Sequence, residues 1–600
     1  MNHVDTSWQA YQQATQTRQA AEQWLAAFEA ALSAQDAEHI GGLFHGECHW
    51  RDILAFTWDL FAAEGRERIA GELAARQERT GAAQFHLPAG RKPPRQVRRL
   101  GRDCVEAIFE FRTAVGRGAG IVRLSDAGDG MKAWHLSTTL DELDGHAEKT
   151  GDNRPSGAAY SRNFGGDNWV DVRDKARAYD DHDPTVLVIG GAQSGLSIAA
   201  RLNQLGVDTL VVERWPRIGD SWRKRYHSLA LHNSIHLNHL PYMDFPPTWP
   251  KYIPKDMLGN WFEFYADAME INCWTDTEFV AGAWDEATKT WTATVRHGDG
   301  TERVVRPRHL VFANGVSSYP YVPDLPSIED FKGEVIHSEG FDSGAGWEGK
   351  RALIIGTGSS ANDIALDLHS FGVHTTLVQR GSTTVVSIDP SARLNEAIWD
   401  EGPPLDDCDL IVASTTPALM VEGYRQVTQR MYELDRHLIE GLKTIGFKHD
   451  MGEDETGHQM KYFRRGGGYN LDAGSSELMI KGELGLLQYD AIERFAADGV
   501  VLRDGSLMPV DLIVLATGYY PQKELVNRAL GQEMADKIGP VWGLDADGEL
   551  CNMFRRTPQQ GVWFIAGGLA QCRINSKYMA LQIKAMELGL LEPPREGERR

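Results

Sequence analysis

Two strand–glycine–helix–strand units constrain this chain more than any other feature. The first reads TVLVIGGAQSGLSIAARLNQLGVDTLVVE from Thr185, and the second reads RALIIGTGSSANDIALDLHSFGVHTTLVQR from Arg351. Their glycine turns begin at Gly190 and Gly356, 166 residues apart. An apolar strand, a tight glycine turn, a helix and a second apolar strand make a βαβ unit of a parallel sheet. Two of them in 600 residues predict an α/β protein with two Rossmann-like dinucleotide-binding domains.

The turns differ in the chemistry around them. A glycine turn lets the backbone approach a pyrophosphate, and the helix that follows offers its N-terminus to the negative charge. In the first unit the fingerprint positions are Gly190, Ala192 and Gly195, with alanine where the middle glycine usually stands and Gly191 just before it. Glu213 closes the second strand, where a carboxylate accepts hydrogen bonds from ribose hydroxyls and repels a 2′-phosphate. That suits the adenosine of FAD. In the second unit the positions are Gly356, Gly358 and Ala361, and the strand ends in Gln379 and Arg380. A guanidinium there pairs with a 2′-phosphate, which favours NADPH over NADH. The expected cofactors are therefore FAD at the first turn and NADPH at the second.

The rest of the chain divides around these units. Residues 1–145 read as helices (18–38 and about 66–77) followed by alternating strand runs such as VEAIFEFRTAV and MKAWHLSTTL. Helices followed by a curved antiparallel sheet make an α+β, cone-shaped domain. Residues 146–183 are rich in Gly, Asp, Asn and Ser and read as a linker with little regular structure, packed across a neighbouring domain. The expected boundaries are 184–345 for the first part of the FAD domain and 346–505 for the NADPH domain, with an insertion at 384–480. Residues 506–600 complete the FAD domain. A helix is expected near 420–446 and another at 576–588. The net charge of −22 argues against nucleic acid as a partner. No run approaches 18 apolar residues, and MNHVDTSWQAYQQATQTRQ lacks the pattern of a secretory signal. The six cysteines are scattered, so neither a metal site nor a dithiol is expected, and a cytoplasmic location is the simplest reading.

Between and after the two units lie stretches with a family likeness. FKGEVIHSEGF, from Phe331 through Gly333 and His337 to Phe341, resembles the FxGxxxHxxx(Y/F) signature of class B flavin-dependent monooxygenases. GDSWRKRYHSLALHNS, with Gly219, Trp222, Arg223 and Tyr226, resembles that family's stretch around the flavin ring. FANG (312–315) and LATGY (515–519) resemble its interdomain crossings, and GVWFIAGGLAQCRINSKYMALQIKA its return segment. The likeness covers residues 184–591, and the flavin monooxygenases of the plant indole-pyruvate type and their bacterial relatives look most similar.

The resemblance implies hydride delivery from NADPH to the flavin and a C4a-(hydro)peroxide formed with dioxygen. One oxygen atom then enters a small organic substrate. It implies Asn233 as the donor beside the reacting oxygen and Arg223 as a partner for phosphate or for the nicotinamide side. It also implies cofactor contacts from Trp222, His337, Gly567 and Gln571. His337 and the signature phenylalanines carry a hinge role as well, and His337 is not expected to be a catalytic base. Phe341 is the form found in heteroatom oxygenases, while Asp342 is compatible with ketone oxygenation. N-, S- or decarboxylative oxygenation is therefore favoured. A Baeyer–Villiger reaction, a peroxide-releasing NADPH oxidase and a non-catalytic nucleotide-binding regulator stay open. The insertion, with Trp399, Tyr424, Met431, Tyr432 and Phe447, is where specificity is expected. Its Arg464-Arg465-Gly-Gly-Gly468-Tyr469 run reads as a basic loop for an acidic substrate or the NADPH phosphate.

The N-terminal domain resembles the steroid-isomerase and polyketide-cyclase superfamily. His45, His49, Trp50, Asp52, Trp134 and His135 are candidate lining residues of its cone, with an Asp–His pair available for proton transfer. A dimerisation or lid role is preferred over catalysis, which leaves a homodimer open.

Overall fold

The computed structural model describes residues 2–157, 160 and 162–592. The end of the last expected domain, 593–600, lies outside them. The first unit builds a five-stranded parallel sheet in the order Asn272–Trp274, Thr209–Val212, Val186–Ile189, His309–Phe312, Val562–Phe564. The second builds another five-stranded parallel sheet in the order Glu334–His337, Leu512–Leu515, Arg351–Ile355, His374–Gln379, Gly485–Gln488. Their central strands are buried on both faces, as the continuous apolar runs require. Two Rossmann-like domains preceded by an α+β domain are thus the observed architecture.

The boundaries shift from those expected. Glu334–His337 and Leu512–Leu515 pair with each other and with the second sheet, not with the first. The second domain therefore claims strands on both sides of the expected 346–505 segment, because a parallel sheet recruits its edge strand from a distant part of the chain. The 146–183 linker also carries more structure than expected. It holds a 3-10 turn, Gly151–Asn153, and a helix, Trp169–Ala178, started by a capping box between Asn168 and Asp171. It packs across the first domain: Trp274 Nε1 donates to Arg177 O at 2.7 Å, and Arg303 holds the carbonyl of Ala178 at 2.9 Å.

Helix ends follow local chemistry. The first helix spans Asn2–Ser33 and stops before Gln35, whose φ is +53°. Asp36 then caps a new helix, Ala37–Gly42, by accepting from the amides of Glu38 and His39 at 3.0 Å. The helix expected near 420–446 is two helices, Pro417–Leu434 and Arg436–Thr444. The break falls at Asp435, whose buried carboxylate takes hydrogen bonds from the amide and hydroxyl of Ser387. The C-terminal helix starts earlier than expected and spans Leu569–Glu587.

The N-terminal domain is a seven-stranded sheet. Its order is Leu60–Glu64, Phe44–Ile53, Met131–Leu143, Gly116–Asp126, Arg102–Arg112, Ala83–His86, with Arg95–Arg99 also paired to Arg102–Arg112. One face packs on the helices through Trp24, Phe28, Phe44, Phe85, Phe109 and Phe111 in stacked and edge contacts. Those rings fill the interior. The expected Asp–His pair does not form. Strands 44–53 and 131–143 are parallel with Asp52 opposite Thr138, so His135, three residues earlier, falls on the other face. Asp52 accepts instead from Thr57 and Thr138 hydroxyls at 2.7 Å, and burial pushes its carboxyl up to about 6. His135 takes Arg123 and the carbonyl of Ser414, and burial holds it well below the ordinary histidine range.

That outer face is clamped to the insertion and the C-terminal helix. Ile108, Ala119 and Ile121 pack on Leu410 and Ile411. Arg95 and Arg99 bridge Glu106 of the sheet to Glu401, and Arg91 pairs with Asp407 at 3.1 Å. Asp141 meets Lys577 of the C-terminal helix. Burial pushes Asp141 up, but Lys577, Arg91 and Arg117 outweigh it and hold the carboxyl at about 2. The folded value lies below the unfolded one, near 3.9, so this stabilisation is present above about pH 4 and is lost as pH falls toward 2. Asp141→Asn is expected to cost about 2 kcal/mol at pH 7. The gap from the parent should close between about pH 4 and 2. Denaturant unfolding followed by tryptophan fluorescence across that range checks this, and a pH-independent gap would refute it.

Candidate functional site

Three of the four fingerprint glycines, Gly190, Gly195 and Gly356, are demanded by a backbone carbonyl, whereas a Cβ on Gly358 would lie an ordinary 3.5 Å from Tyr469 O. Gly190 has φ +110°, and a Cβ there would lie 2.8 Å from Ala313 O. A Cβ on Gly195 would lie 1.9 Å from Gly190 O. Ala192, between them, has ordinary extended backbone at φ −93°, ψ −165°, so a methyl group is tolerated where the usual motif has glycine. The same construction recurs in the second unit: Gly356 has φ +134°, and a Cβ would lie 2.4 Å from Ala516 O. Ala313 and Ala516 belong to the FANG and LATGY crossings. The helices that follow, Gln193–Gln204 and Ser359–Ser370, begin at Ala192 and Gly358 without a side-chain cap. Their first-turn N–H groups thus suit an anionic pyrophosphate. Ala361 is buried where the second helix meets its sheet.

The strand ends differ as the sequence predicts. Glu213 is buried and accepts from the amides of Gly191 at 2.7 Å and Trp215 at 3.0 Å, while burial raises its pKa. It sits against the pyrophosphate turn with further acceptor capacity for ribose hydroxyls. At the second strand end Gln379 turns inward and exchanges hydrogen bonds with the backbone of Lys448. Arg380 points outward, is exposed, and has no ion pair or hydrogen bond among the described residues. Its guanidinium is available.

Trp222, Gly567 and Gln571 come together with residues the sequence did not single out. Trp222 Nε1 donates to Gln193 Oε1 at 3.1 Å, and Gln193 Nε2 donates to Gly567 O at 3.2 Å. Gly567 has φ +120°, and a Cβ there would meet Gln571 Oε1 at 2.1 Å. That same oxygen accepts from Tyr462 of the insertion at 3.1 Å. Cys572, next in the chain, is buried against Ser194 and pushed up to about 12 by burial, so it is no thiolate.

Asn233 lies on a loop held from two sides. Its Nδ2 donates to Glu396 at 3.1 Å, and Asn238 Nδ2 donates to the carbonyls of Asn233 and Ser234 at 3.1 and 3.0 Å. Arg573, 2% exposed, donates to the carbonyls of Leu237 and His239, both at 2.6 Å. It also makes a two-pronged pair with Asp409, 2.7 Å on each side. Arg573 and Glu396 were missed because each acts on a segment more than 150 residues away.

Other expected residues are tied down within the protein. Arg223 pairs with Asp220 at 2.8 Å and Glu263 at 2.9 Å and donates to Ile218 O and Asn260, so its guanidinium braces the helix Lys255–Ala268 instead of facing outward. His337 donates from Nε2 to Gly518 O and accepts at Nδ1 from the Glu339 amide, both at 3.1 Å, and burial lowers its pKa. It joins the signature to LATGY as a neutral ring. Phe331 and Phe341 are buried in separate cores, with Leu353 and Ile355 in one and Ile354 and Ile364 in the other. The basic run is neutralised locally: Arg464 pairs with Asp454 and Arg465 with Glu453. Among the described residues no group of side chains could hold a metal, and all six cysteines are free. No helix among them is long and apolar enough to cross a membrane.

Two parallel sheets, each with an uncapped helix behind a glycine turn, define a two-dinucleotide oxidoreductase. Residues 183–538, more than half of the chain, match the family model described as flavin-binding monooxygenase-like. The chain belongs to that family. It is 30% identical over 397 residues to the probable indole-3-pyruvate monooxygenase YUCCA9 of Arabidopsis thaliana, covering 66% of this chain and 85% of that protein. It is also 30% identical over 337 residues to the indole-3-pyruvate monooxygenase YUCCA1 of Oryza sativa subsp. japonica, covering 56% and 77%. Among solved structures, ε-caprolactone-bound cyclohexanone monooxygenase aligns at 18% identity and a TM-score of 0.49, covering 68% of this chain and 89% of that one. The N-terminal domain lies outside the family match.

The fingerprint geometry makes a direct prediction. Gly195→Ala should displace the turn and strip the flavin, at a cost of about 1–3 kcal/mol from overpacking alone. Ala192→Gly should retain flavin near the parent level. Flavin absorbance per protein and the melting temperature decide it, and equal retention in both variants would be inconsistent with the carbonyl contact.

Proposed function

We propose that this chain is an FAD- and NADPH-dependent monooxygenase that transfers one oxygen atom to a small organic substrate, by N-, S- or decarboxylative oxygenation. The contrast between Glu213 at the first turn and the unpaired Arg380 at the second carries the cofactor assignment. Bound FAD supplies reductive activation of dioxygen with electrons from NADPH. The second oxygen atom leaves as water, and NADP⁺ is the other product.

The chain's own contribution is holding, orienting and drying. The N–H groups after Gly190 and Gly356 hold the two pyrophosphates. Glu213 takes the adenosine ribose of FAD and Arg380 the 2′-phosphate of NADPH. The Trp222–Gln193–Gly567 chain and the Tyr462–Gln571 contact close the wall between the first domain and the insertion. Asn233 offers an amide N–H that does not titrate and, on this reading, stabilises negative charge on the reacting oxygen. Its loop is fixed by Arg573, so the donor is pre-organised.

The choice of substrate belongs to the insertion. Phe341, which separates heteroatom from ketone oxygenases by pattern, is 2% exposed in the second domain's core and does not reach a substrate. The relatives named for indole-3-pyruvate support a 2-oxo acid, whose decarboxylation follows attack at the carbonyl. The aromatic-filled N-terminal domain is read as a brace that holds Asp407 to Ser414 of the insertion in place, with no reaction of its own.

Two measurements test this reading. Arg380→Ala should raise KM for NADPH by roughly ten- to a hundredfold, about 1–3 kcal/mol, and leave NADH nearly unchanged. Equal losses for both would remove the 2′-phosphate contact. Asn233→Leu should leave bleaching of the flavin by NADPH under argon near the parent rate. In air it should lower product per NADPH about tenfold or more and raise hydrogen peroxide to match. Unchanged coupling would make Asn233 structural only.

A further inference from the structure

The insertion reaches back to the first domain through one carboxylate. Glu396 ends the 3-10 turn Ala392–Glu396 and is 3% exposed. It accepts from Asn233 Nδ2 at 3.1 Å and from the Ser234 amide at 3.2 and 3.3 Å through its two oxygens. No lysine, arginine or histidine pairs with it among the described residues. A buried carboxylate served only by neutral donors is an expensive way to hold a loop, and an apolar contact would serve stability better. Its turn is held in turn by the next residue back: Asn395 Nδ2 meets His458 Nε2 at 3.3 Å, with His458 itself buried in the helix Gly457–Arg465.

The chemistry of the pair explains the cost. The two ends of an asparagine amide have nearly the same shape, and only its partners decide which end faces which way. A carboxylate accepts and never donates. Facing Glu396, Asn233 has one orientation, with Nδ2 toward the insertion, and its second N–H is not used by Glu396. Asn238 fixes the backbone carbonyls of Asn233 itself and of Ser234, so the side chain swings on a fixed base.

We propose that Glu396 is a positioning residue that fixes the orientation of the Asn233 amide and so decides which group the oxygenation site receives. This rests on the reading of Asn233 given above. It also gives the insertion a second role beside lining the substrate: the oxygenation geometry is complete only when the insertion is docked. Glutamine at 396 presents either end of its own amide, and Asn233 is then free to turn.

The test uses the full-length holoenzyme and five proteins: parent, Glu396→Gln, Glu396→Met, Asn233→Leu and the Glu396→Gln/Asn233→Leu double variant. Glu396→Gln should bleach with NADPH under argon within about twofold of the parent rate, yet give about five- to tenfold less product per NADPH in air, the rest appearing as hydrogen peroxide. The double variant should couple no worse than Asn233→Leu alone. The melting temperatures of the holoenzymes should show non-additive losses, because the two side chains share one contact. Glu396→Met, similar in volume and without an acceptor, should lose coupling at least as far, which guards against a folding defect peculiar to glutamine. Parent-like coupling in Glu396→Gln while Asn233→Leu uncouples would overturn the proposal, and so would losses that multiply in the double variant. Parent-like coupling in Asn233→Leu would sink the reading of Asn233 and this proposal together. That outcome is distinguished from failure of Glu396 alone by the single Asn233 variant.

Discussion

The two dinucleotide turns depend on one backbone contact made twice. Gly190 stands against Ala313 O and Gly356 against Ala516 O, each at a positive φ that a side chain would resist. Each contact joins the turn after one parallel strand to the exit of the neighbouring strand, His309–Phe312 in the first sheet and Leu512–Leu515 in the second. A Cβ at either glycine would push the strand ends apart where a pyrophosphate must lie. Ligands of open parallel sheets sit at the carboxyl ends of the strands for the same reason: there the helix N-termini converge and the backbone comes close. The FANG and LATGY phrases thus earn their resemblance by supplying the opposing carbonyl.

A second constraint ties the added parts to this frame. Arg573, at the start of the C-terminal helix, holds Asp409 of the insertion and the carbonyls of Leu237 and His239 at once. The pair with Asp409 is charge-assisted and largely buried, so removing either partner would leave the other without its counter-charge. The N-terminal domain grips the same insertion helix from the opposite side through Arg91 and Asp407, and through Ile108 and Ile121 against Leu410 and Ile411. A domain whose interior is closed by aromatic rings has its outer face free for this work. It touches the insertion, and its own candidate residues split between the two faces of one sheet.

Much of the frame was legible because it is local. A glycine turn, the helix after it and the residue closing the next strand lie within about 25 residues, so Gly190, Glu213, Gly356 and Arg380 stand out in one pass along the chain. The split of the 420–446 segment was not legible, since it depends on Ser387 hydrogen-bonding to Asp435 from another element. The fate of Arg223 was hidden for a like reason. A guanidinium beside a cofactor stretch suggests phosphate, but Glu263, forty residues on, claims it. The Asp–His pair of the N-terminal domain failed on register, because residue types say nothing of which strand lies beside which, and an odd offset places two side chains on opposite faces.

On the proposed reading the insertion combines two duties that are separable in principle. Its aromatic and helical parts are the ones proposed to choose the substrate, while Glu396 and Tyr462 touch Asn233 and Gln571, the residues proposed to act at the cofactor. A segment that shapes the substrate pocket and also finishes the oxygenation site couples the two: a loosely seated insertion leaves Asn233 unoriented as well as the pocket open. On the proposed roles, wasteful release of peroxide and poor selection of substrate share one cause, the docking of residues 384–480. The ionic clamp from the N-terminal domain acts on that docking without approaching the chemistry.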